Sequence, residues 1–342
     1  MDPLTTAPVL VMGASGFLGS HVARQLVARG DRVRVLLRET SPTRGIDDLD
    51  VERHYGDIFD EAAVRAAMSG CEVVYYCVVD TRAWLRDPAP LFRTNVDGLR
   101  GVLRIAAETR LRRFVFTSTI GTVGLGDGPA PATEDTPFDW AEAGGAYIRS
   151  RREAEELVLR HSREHGLPAV AMCVANTYGT GDWQPTPHGS LVALAALGRM
   201  PVYFRGVASE VVDVEDAARA LLLAGEHGRP GERYIVSERF VSQREIYRIA
   251  AGAGNVPAPR FGIALLVLVA VGRMASIIGR LLRRDIVLNA TAVNLLRHTG
   301  PLDHGKAVRE LGWRPGSAAQ AIERAARFAV ERRRRRDRVS HP

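Results

Sequence analysis

Short apolar runs alternate with segments of helical periodicity through the first half of the chain. Residues 9–12, 33–37, 51–55, 73–79, 114–117 and 169–174 are apolar or alternating runs of strand length. Between them, residues 17–29, 61–68, 90–108 and 146–164 carry apolar positions at helical spacing. Strands and helices in regular alternation, joined by short connections, predict an α/β fold: a doubly wound parallel sheet with ligand bound outside the carboxyl ends of its strands. From about Tyr178 the pattern loosens into a Pro-rich loop (WQPTPHG, 183–189) and shorter elements, stopping near Trp313-Arg314-Pro315. The division expected is a core over residues 1–175, a small C-terminal lobe over 176–330 with some return to the core, and a basic tail at 331–342.

Composition changes this picture little. The 342 residues are 46% hydrophobic and 25% charged, as in soluble globular chains. Cys71, Cys77 and Cys173 have no CxxC spacing, so neither a disulfide framework nor a zinc site is indicated, and no other metal-ligand spacing occurs. A reducing cytoplasm fits. The N-terminus MDPLTTAP lacks a basic segment followed by an apolar one, so no signal peptide is expected. Much of the net charge of +7 sits in the arginines at 332–336 and Arg338. That tail reads as a solvated, frayed helix end rather than a nucleic-acid arm. At most it suggests peripheral association with an anionic membrane. The apolar stretch 261–272, FGIALLVLVAVG, is shorter than the roughly 20 residues a membrane span needs, and Arg273 and Arg280 interrupt its extension. The segment suits a buried helix, a pocket wall or an interfacial helix, and the buried or pocket-lining form is the one expected. Lys306 is the chain's single lysine, so 45 of 46 basic residues are arginine.

The chemistry is carried first by Gly13-x-x-Gly16-x-x-Gly19, which follows the first strand and opens the first helix. Gly13 permits the tight turn, Gly16 lets the backbone approach a pyrophosphate, and Gly19 lets helix and strand pack closely. The second strand ends at Arg38, where NAD sites usually hold an acid for the ribose 2′-hydroxyl. An arginine there can pair with a 2′-phosphate instead, favouring NADP over NAD. Asp57, after the third strand, can accept from an adenine amino group or cap the helix that follows, with Asp60 as rival for the cap. Ser15, Phe17, Leu18, Ile58 and Cys77 complete the candidate cofactor contacts.

With GASGFLG at 13–19, VRVLLR at 33–38, GDIFD at 56–60, RTNVDGLRGVL at 93–103, FVFTSTIGTVG at 114–124, YIRSRREAE at 147–155 and KAVRELGWRP at 306–315, the chain resembles an extended short-chain dehydrogenase/reductase. It is most similar to the dihydroflavonol-reductase-like group, including hopanoid-associated sugar epimerase-like proteins. The likeness runs from about residue 8 to residue 330. It implies a Rossmann core in which Thr119 is the active-site Ser/Thr and Tyr147 the general acid. It also places Arg151 where the family has a lysine that lowers the tyrosine pKa, binds the nicotinamide ribose and relays a proton. Arginine keeps the charge and the one-turn spacing but cannot release its own proton. Nucleotide-sugar 4,6-dehydratases of the superfamily carry Asp-Glu after the threonine. Ile120-Gly121 here argue against that reaction. Cys173-Val174 before Tyr178-Gly179-Thr180, and Val212-Asp213-Val214-Glu215-Asp216, depart from the family's usual strings.

Trp84, Thr119, Tyr178, Trp183, His188 and Tyr203 are candidates for the substrate pocket, with the apolar helix from Phe261 expected to cover them. Aromatic walls suit a hydrophobic small molecule better than a nucleotide diphosphate, although Arg199 and Arg205 could meet a pyrophosphate. The expected activity is an NAD(P)-dependent interconversion of an apolar carbonyl and alcohol, with homodimerisation left open. A catalytically weak dinucleotide-binding protein and a nucleotide-sugar epimerase fit the same motifs.

Overall fold

A computed structural model describes residues 7–126, 128 and 130–340, with side chains as far as Asp337. The leading MDPLTT and the Arg338 side chain, on which two expectations rested, lie outside the described residues. In chain order the first half runs β1 (Val9–Met12), α1 (Phe17–Arg29), β2 (Val33–Leu37), β3 (Glu52–Tyr55), α2 (Glu61–Met68), β4 (Val73–Tyr76), α3 (Ala89–Phe92), a π-helical turn (Arg93–Gly98), α4 (Leu99–Glu108), β5 (Arg113–Thr119), α5 (Ala141–His165) and β6 (Ala169–Val174). The second half runs β7 (Asn176–Tyr178), α6 (Pro187–Ala196), β8 (Val202–Phe204), β9 (Ala208–Asp213), α7 (Val214–His227), β10 (Arg233–Val236), β11 (Arg239–Ser242) and α8 (Gln243–Ala253), then β12 (Phe261–Ile263), α9 (Leu265–Leu282), α10 (Ala290–Arg297), α11 (Gly305–Leu311) and α12 (Ala318–Ser340).

Seven parallel strands form the main sheet in the order β10-β6-β5-β4-β1-β2-β3, the doubly wound Rossmann arrangement. Alternation along the strands feeds two cores. Val9 and Val11 of β1 join Val22 and Leu26 of α1 and Leu221 of α7 on one face. Leu10 and Met12 join Val64 of α2, Val102 of α4 and Leu157 of α5 on the other. Both faces are covered, which is why these strands read as nearly continuous apolar runs. The order reverses between β1 and β4, and the crevice opens there.

After β6 the chain leaves for the lobe, in which β11-β9-β7 form one small sheet and β12-β8 another. Tyr178, Val192, Val211, Tyr247 and Ile322 form part of its core. The chain returns to the main sheet with α7 and β10. α12 continues as helix through the arginine-rich segment, where Arg332 Nη1 donates to the Asp182 carbonyl at 3.2 Å and Arg333 pairs with Asp337 at 3.0 Å.

Two helices differ from their expected form. The segment 90–108 is broken into α3, the π-turn and α4. α5 begins earlier than expected and kinks at Gly145, whose φ of +65° suits glycine.

The expectation of a buried or pocket-lining helix at 261–272 fails. α9 extends to Leu282, and only Leu268, Gly272 and Gly279 of its eighteen residues are buried. Leu266 and Leu281 are 81% and 78% exposed. Its docked stripe is narrow because glycines form it: a Cβ on Gly272 would come 2.7 Å from Val293 of α10. A run apolar on all sides predicts burial only if something covers every side.

Candidate active site

The glycine loop sits at the strand-order reversal. Gly13 has φ +86°, and a Cβ there would lie 2.8 Å from the Cys77 carbonyl carbon, so the loop packs directly on the end of β4. A Cβ on Gly19 would collide with the Gly13 carbonyl, which fixes the approach of α1 to β1. Gly16 caps α1 without a side-chain hydrogen bond, and no acid lies in the first turn. The N-terminal amides and the positive end of the helix dipole are therefore left for an anion. Ser15 offers its carbonyl to Gln184 Nε2 at 3.2 Å. Phe17 stands edge-on to His21, and Leu18 packs on the sheet core.

Arg38 follows directly on β2 with its side chain exposed and paired to no carboxylate of the described residues. Asp60 takes the helix cap, accepting from the Ala63 amide at 3.0 Å. Asp57 is thereby released from capping α2, although its Oδ1 accepts from the Phe59 amide at 3.2 Å. Ile58 packs against Gly98. Cys77 accepts from the Thr117 hydroxyl at 3.2 Å, and burial pushes its thiol up to about 11, so it stays neutral.

Thr119 ends β5. Its Oγ1 accepts from the Gly121 amide at 3.2 Å, which leaves the hydroxyl proton free to donate. Tyr147, Arg151 and Glu155 occupy successive turns of α5 on one face. That face is stitched to the end of β5. Arg151 Nη2 donates to the Thr117 carbonyl at 2.5 Å, and its guanidinium carbon lies 5.1 Å from the Phe116 ring centre. Ile148 abuts Gly121, so the Thr119 segment and the Tyr147 turn meet. Arg151 is 2% exposed, and its Nε and Nη1 are buried without an acceptor. Burial lowers the Arg151 pKa, while Tyr147, Tyr76 and Glu155 oppose that. Burial raises the pKa of the partly buried Tyr147, the Arg151 charge pulls it back, and Asp80 adds to the rise. These residues fit a nicotinamide dinucleotide: an open helix start at one end, a buried cation with unsatisfied N–H groups at the other.

The aromatic candidates do not converge. Trp84 stands on a loop whose carbonyl accepts from Asn289 Nδ2 at 3.1 Å, just before α10. α10 in turn packs on α5 beside the turn that carries Tyr147, since a Cβ on Gly145 would come 2.8 Å from Thr291. The Trp84 loop is thus tied to the start of the helix that packs beside the Tyr147 turn. Tyr178 is buried in the lobe core, edge-on to His188. Trp183 packs on Phe328 under Arg44 and lines a cleft of about 490 Å³ with Ser20, His21 and Arg24 of α1.

His188 lies on α6, and its Nε2 is 2.9 Å from the Thr177 carbonyl. Burial outweighs that bond and lowers its pKa to about 4. A folded pKa below the unfolded value of about 6.5 means the unfolded chain binds the proton first. Stability is therefore full above pH 6.5 and falls as the pH drops toward 4. His188→Gln keeps a donor for Thr177 and removes the titration. Its stability loss between pH 7 and pH 5, measured by urea unfolding, should be smaller by about 1–2 kcal/mol after allowing for partial exposure. Parallel losses in the two proteins would exclude His188 as the sensor.

The residues that hold the site together carry no motif of their own. Asn95, in the π-turn, accepts from the Asp80 amide at 2.8 Å, and its Nδ2 donates to the Asp80 carbonyl at 3.0 Å and to Ser150 Oγ at 3.1 Å. It ties the loop after β4 to α5. Glu155, fully buried, accepts from Ser118 Oγ at 2.5 Å and Thr122 Oγ1 at 2.6 Å and meets Arg233 Nη1 at 3.1 Å. Asn95 and Glu155 lay inside matched strings, but their partners become visible only in three dimensions.

Residues 9–237 match the model of the NAD dependent epimerase/dehydratase family. Over 329 residues the chain is 31% identical to sterol demethylase protein B of Methylococcus capsulatus, covering 94% of this chain and 98% of that protein. It is 28% identical over 324 residues to a putative dihydroflavonol 4-reductase of Synechocystis sp., covering 93% of each. The crystal structure of gox2253 superposes with a TM-score of 0.85 at 30% identity, covering 96% of this chain and 99% of that one. The chain therefore belongs to the NAD dependent epimerase/dehydratase family, within the extended short-chain dehydrogenase/reductase superfamily, whose nicotinamide dinucleotide its glycine loop is shaped to hold.

Proposed function

We propose that the protein is an NADP-preferring oxidoreductase that interconverts an apolar carbonyl and its alcohol. The observation that carries this reading is the cation under Tyr147. Among the described residues no carboxylate forms a salt bridge with Arg151, and its Nη2 is spent on a backbone carbonyl, so its charge remains to favour tyrosinate. In the reductive direction the Tyr147 phenol donates a proton to the carbonyl oxygen, and the Thr119 hydroxyl holds that oxygen by a hydrogen bond. The nicotinamide, when bound, supplies the hydride. Arg151 keeps the tyrosinate that is left from climbing in energy, and its buried, unsatisfied N–H groups would be the donors available to a cofactor ribose. The reductase and sterol names among the relatives support an apolar substrate.

Purified protein with NADPH and a panel of apolar ketones and aldehydes should show saturable cofactor oxidation on at least one. No turnover on any, in either direction, would leave a dinucleotide-binding protein without this chemistry. The family match also keeps a nucleotide-sugar epimerase in view. Cofactor retained tightly through purification, with no net oxidation, would favour that reading.

The NADP preference rests on Arg38. NADPH should bind more tightly than NADH by about 1–3 kcal/mol, and Arg38→Asp should reverse the order. Calorimetric titration showing equal affinities in the parent protein would remove the preference.

A further inference from the structure

The exposed face of α9 is the largest feature that the oxidoreductase reading leaves unused. Leu266, Val267, Val271, Met274, Ile278 and Leu281 form one outward stripe along the helix, all exposed. Arg273 and Arg280, seven residues apart, stand together along one flank of that stripe. Arg283 and Arg284 follow at the helix end, and Arg260 precedes β12. From Arg260 to Arg297 the sequence has six arginines and one acid, Asp285. Asp285 is engaged with the Arg86 amide at 2.9 Å. No carboxylate of the described residues pairs with Arg260, Arg273, Arg280, Arg283 or Arg284.

We infer that α9 docks this protein, lying flat, on an anionic lipid surface. Helix length and composition alone would also suit a membrane span. The connections exclude it. The chain enters α9 from β12, which pairs with β8, and leaves into α10, which packs on α5. Both ends are held on the same side of the helix, by the body of the protein, so α9 can enter a membrane only along its length. Spanning would also carry Arg273 and Arg280 into hydrocarbon. An interfacial position buries the apolar stripe among acyl chains and leaves the arginines at headgroup level, where phosphates meet them. A second copy fits less well. Stacking two such faces would bring the unpaired arginine flanks of both molecules close together, with no acid in α9 to answer them. The helix also packs on α10, which in turn packs beside the turn that carries Tyr147. Docking would set that end of the cleft beside the lipid. That last consequence rests on the proposed apolar substrate; the docking itself does not.

The test is flotation of the full chain with vesicles of phosphatidylcholine alone and of phosphatidylcholine with about one third phosphatidylglycerol. The parent should float with the anionic vesicles and lose most of that binding at high salt. A Met274→Glu, Ile278→Glu double variant should bind them at least about tenfold more weakly. Its melting temperature and circular dichroism should match the parent's. Arg273→Gln, Arg280→Gln changes only solvated side chains and should erase the preference for anionic over neutral lipid, again by roughly tenfold. Arg334→Gln, Arg335→Gln in α12 should leave flotation unchanged. A parent that stays at the bottom with both vesicles overturns the inference, as does a Glu variant that floats like the parent. So does a parent dimer in sedimentation velocity that the Glu variant converts to monomer without any lipid binding. Resistance of the host-membrane fraction to carbonate extraction overturns the flat orientation.

Discussion

Tyr147→Phe is expected to lower turnover by about 10²–10⁴-fold while leaving the affinity for the dinucleotide within about twofold. The variant removes one oxygen from a half-buried ring and touches none of the hydrogen bonds that seat α5 on β5. Arg151→Lys should maintain or raise the rate. It keeps the charge and restores a compact ammonium that can exchange a proton, at the cost of the Nη2 bond to Thr117. Arg151→Ala should lose both rate and some cofactor affinity. It should also move the pH profile of alcohol oxidation. That direction needs tyrosinate, so activity rises above the Tyr147 pKa. Burial already raises this pKa and Arg151 opposes the rise. Without the cation the ascending limb shifts to higher pH. Steady-state kinetics on the first active substrate decide the matter. Equal rates for the parent and Tyr147→Phe would end the mechanism proposed here.

Much of this site could be read along the chain because local rules govern it. A strand, three glycines at fixed spacing and a helix are one continuous segment, and each glycine answers a contact within that segment or with the neighbouring strand end. The rivalry between Asp57 and Asp60 was also local, and cap geometry resolved it in favour of Asp60. Where the sequence misled, the deciding contact was distant. The apolar run at 261–272 gave no sign that α10 would cover only a glycine stripe. Tyr178 and Trp183 lie close together in sequence, yet one is buried under α6 and the other faces α1 and α12. The break in the 90–108 helix is of the same kind. Nothing in RTNVDG demands a π-turn, but with one there Asn95 is buried and bonded to both Asp80 and Ser150.

Glu155→Ala is expected to destabilise the protein by about 3–5 kcal/mol, because it takes the carboxylate from a largely buried Arg233 and the acceptor from the buried Ser118 hydroxyl at once. Glu155 is 0% exposed, and the Arg233 side chain opposite is 14% exposed. Ser118 Oγ donates to Glu155 Oε2, and the Thr122 hydroxyl is shared between Glu155 Oε2 and the Thr119 carbonyl at 2.8 Å. The melting temperature should fall by roughly 4–7 °C for a chain of this size. A companion variant separates the pair from its setting. Glu155→Met with Arg233→Met removes both charges and fills the space, and replacing a buried ion pair in this way is often close to neutral. It should therefore recover more than half of the loss seen in Glu155→Ala, and denaturant unfolding would measure the difference. A loss below about 1 kcal/mol in Glu155→Ala would mean that the pair contributes no more than a surface bridge. The result bears on catalysis as well as on stability. Glu155 is the residue through which α5 grips β5 one turn below Arg151. The helix that aims Tyr147 is therefore held by a carboxylate that never touches substrate, and the folded fraction of Glu155→Ala should show a raised KM for cofactor with a lowered kcat.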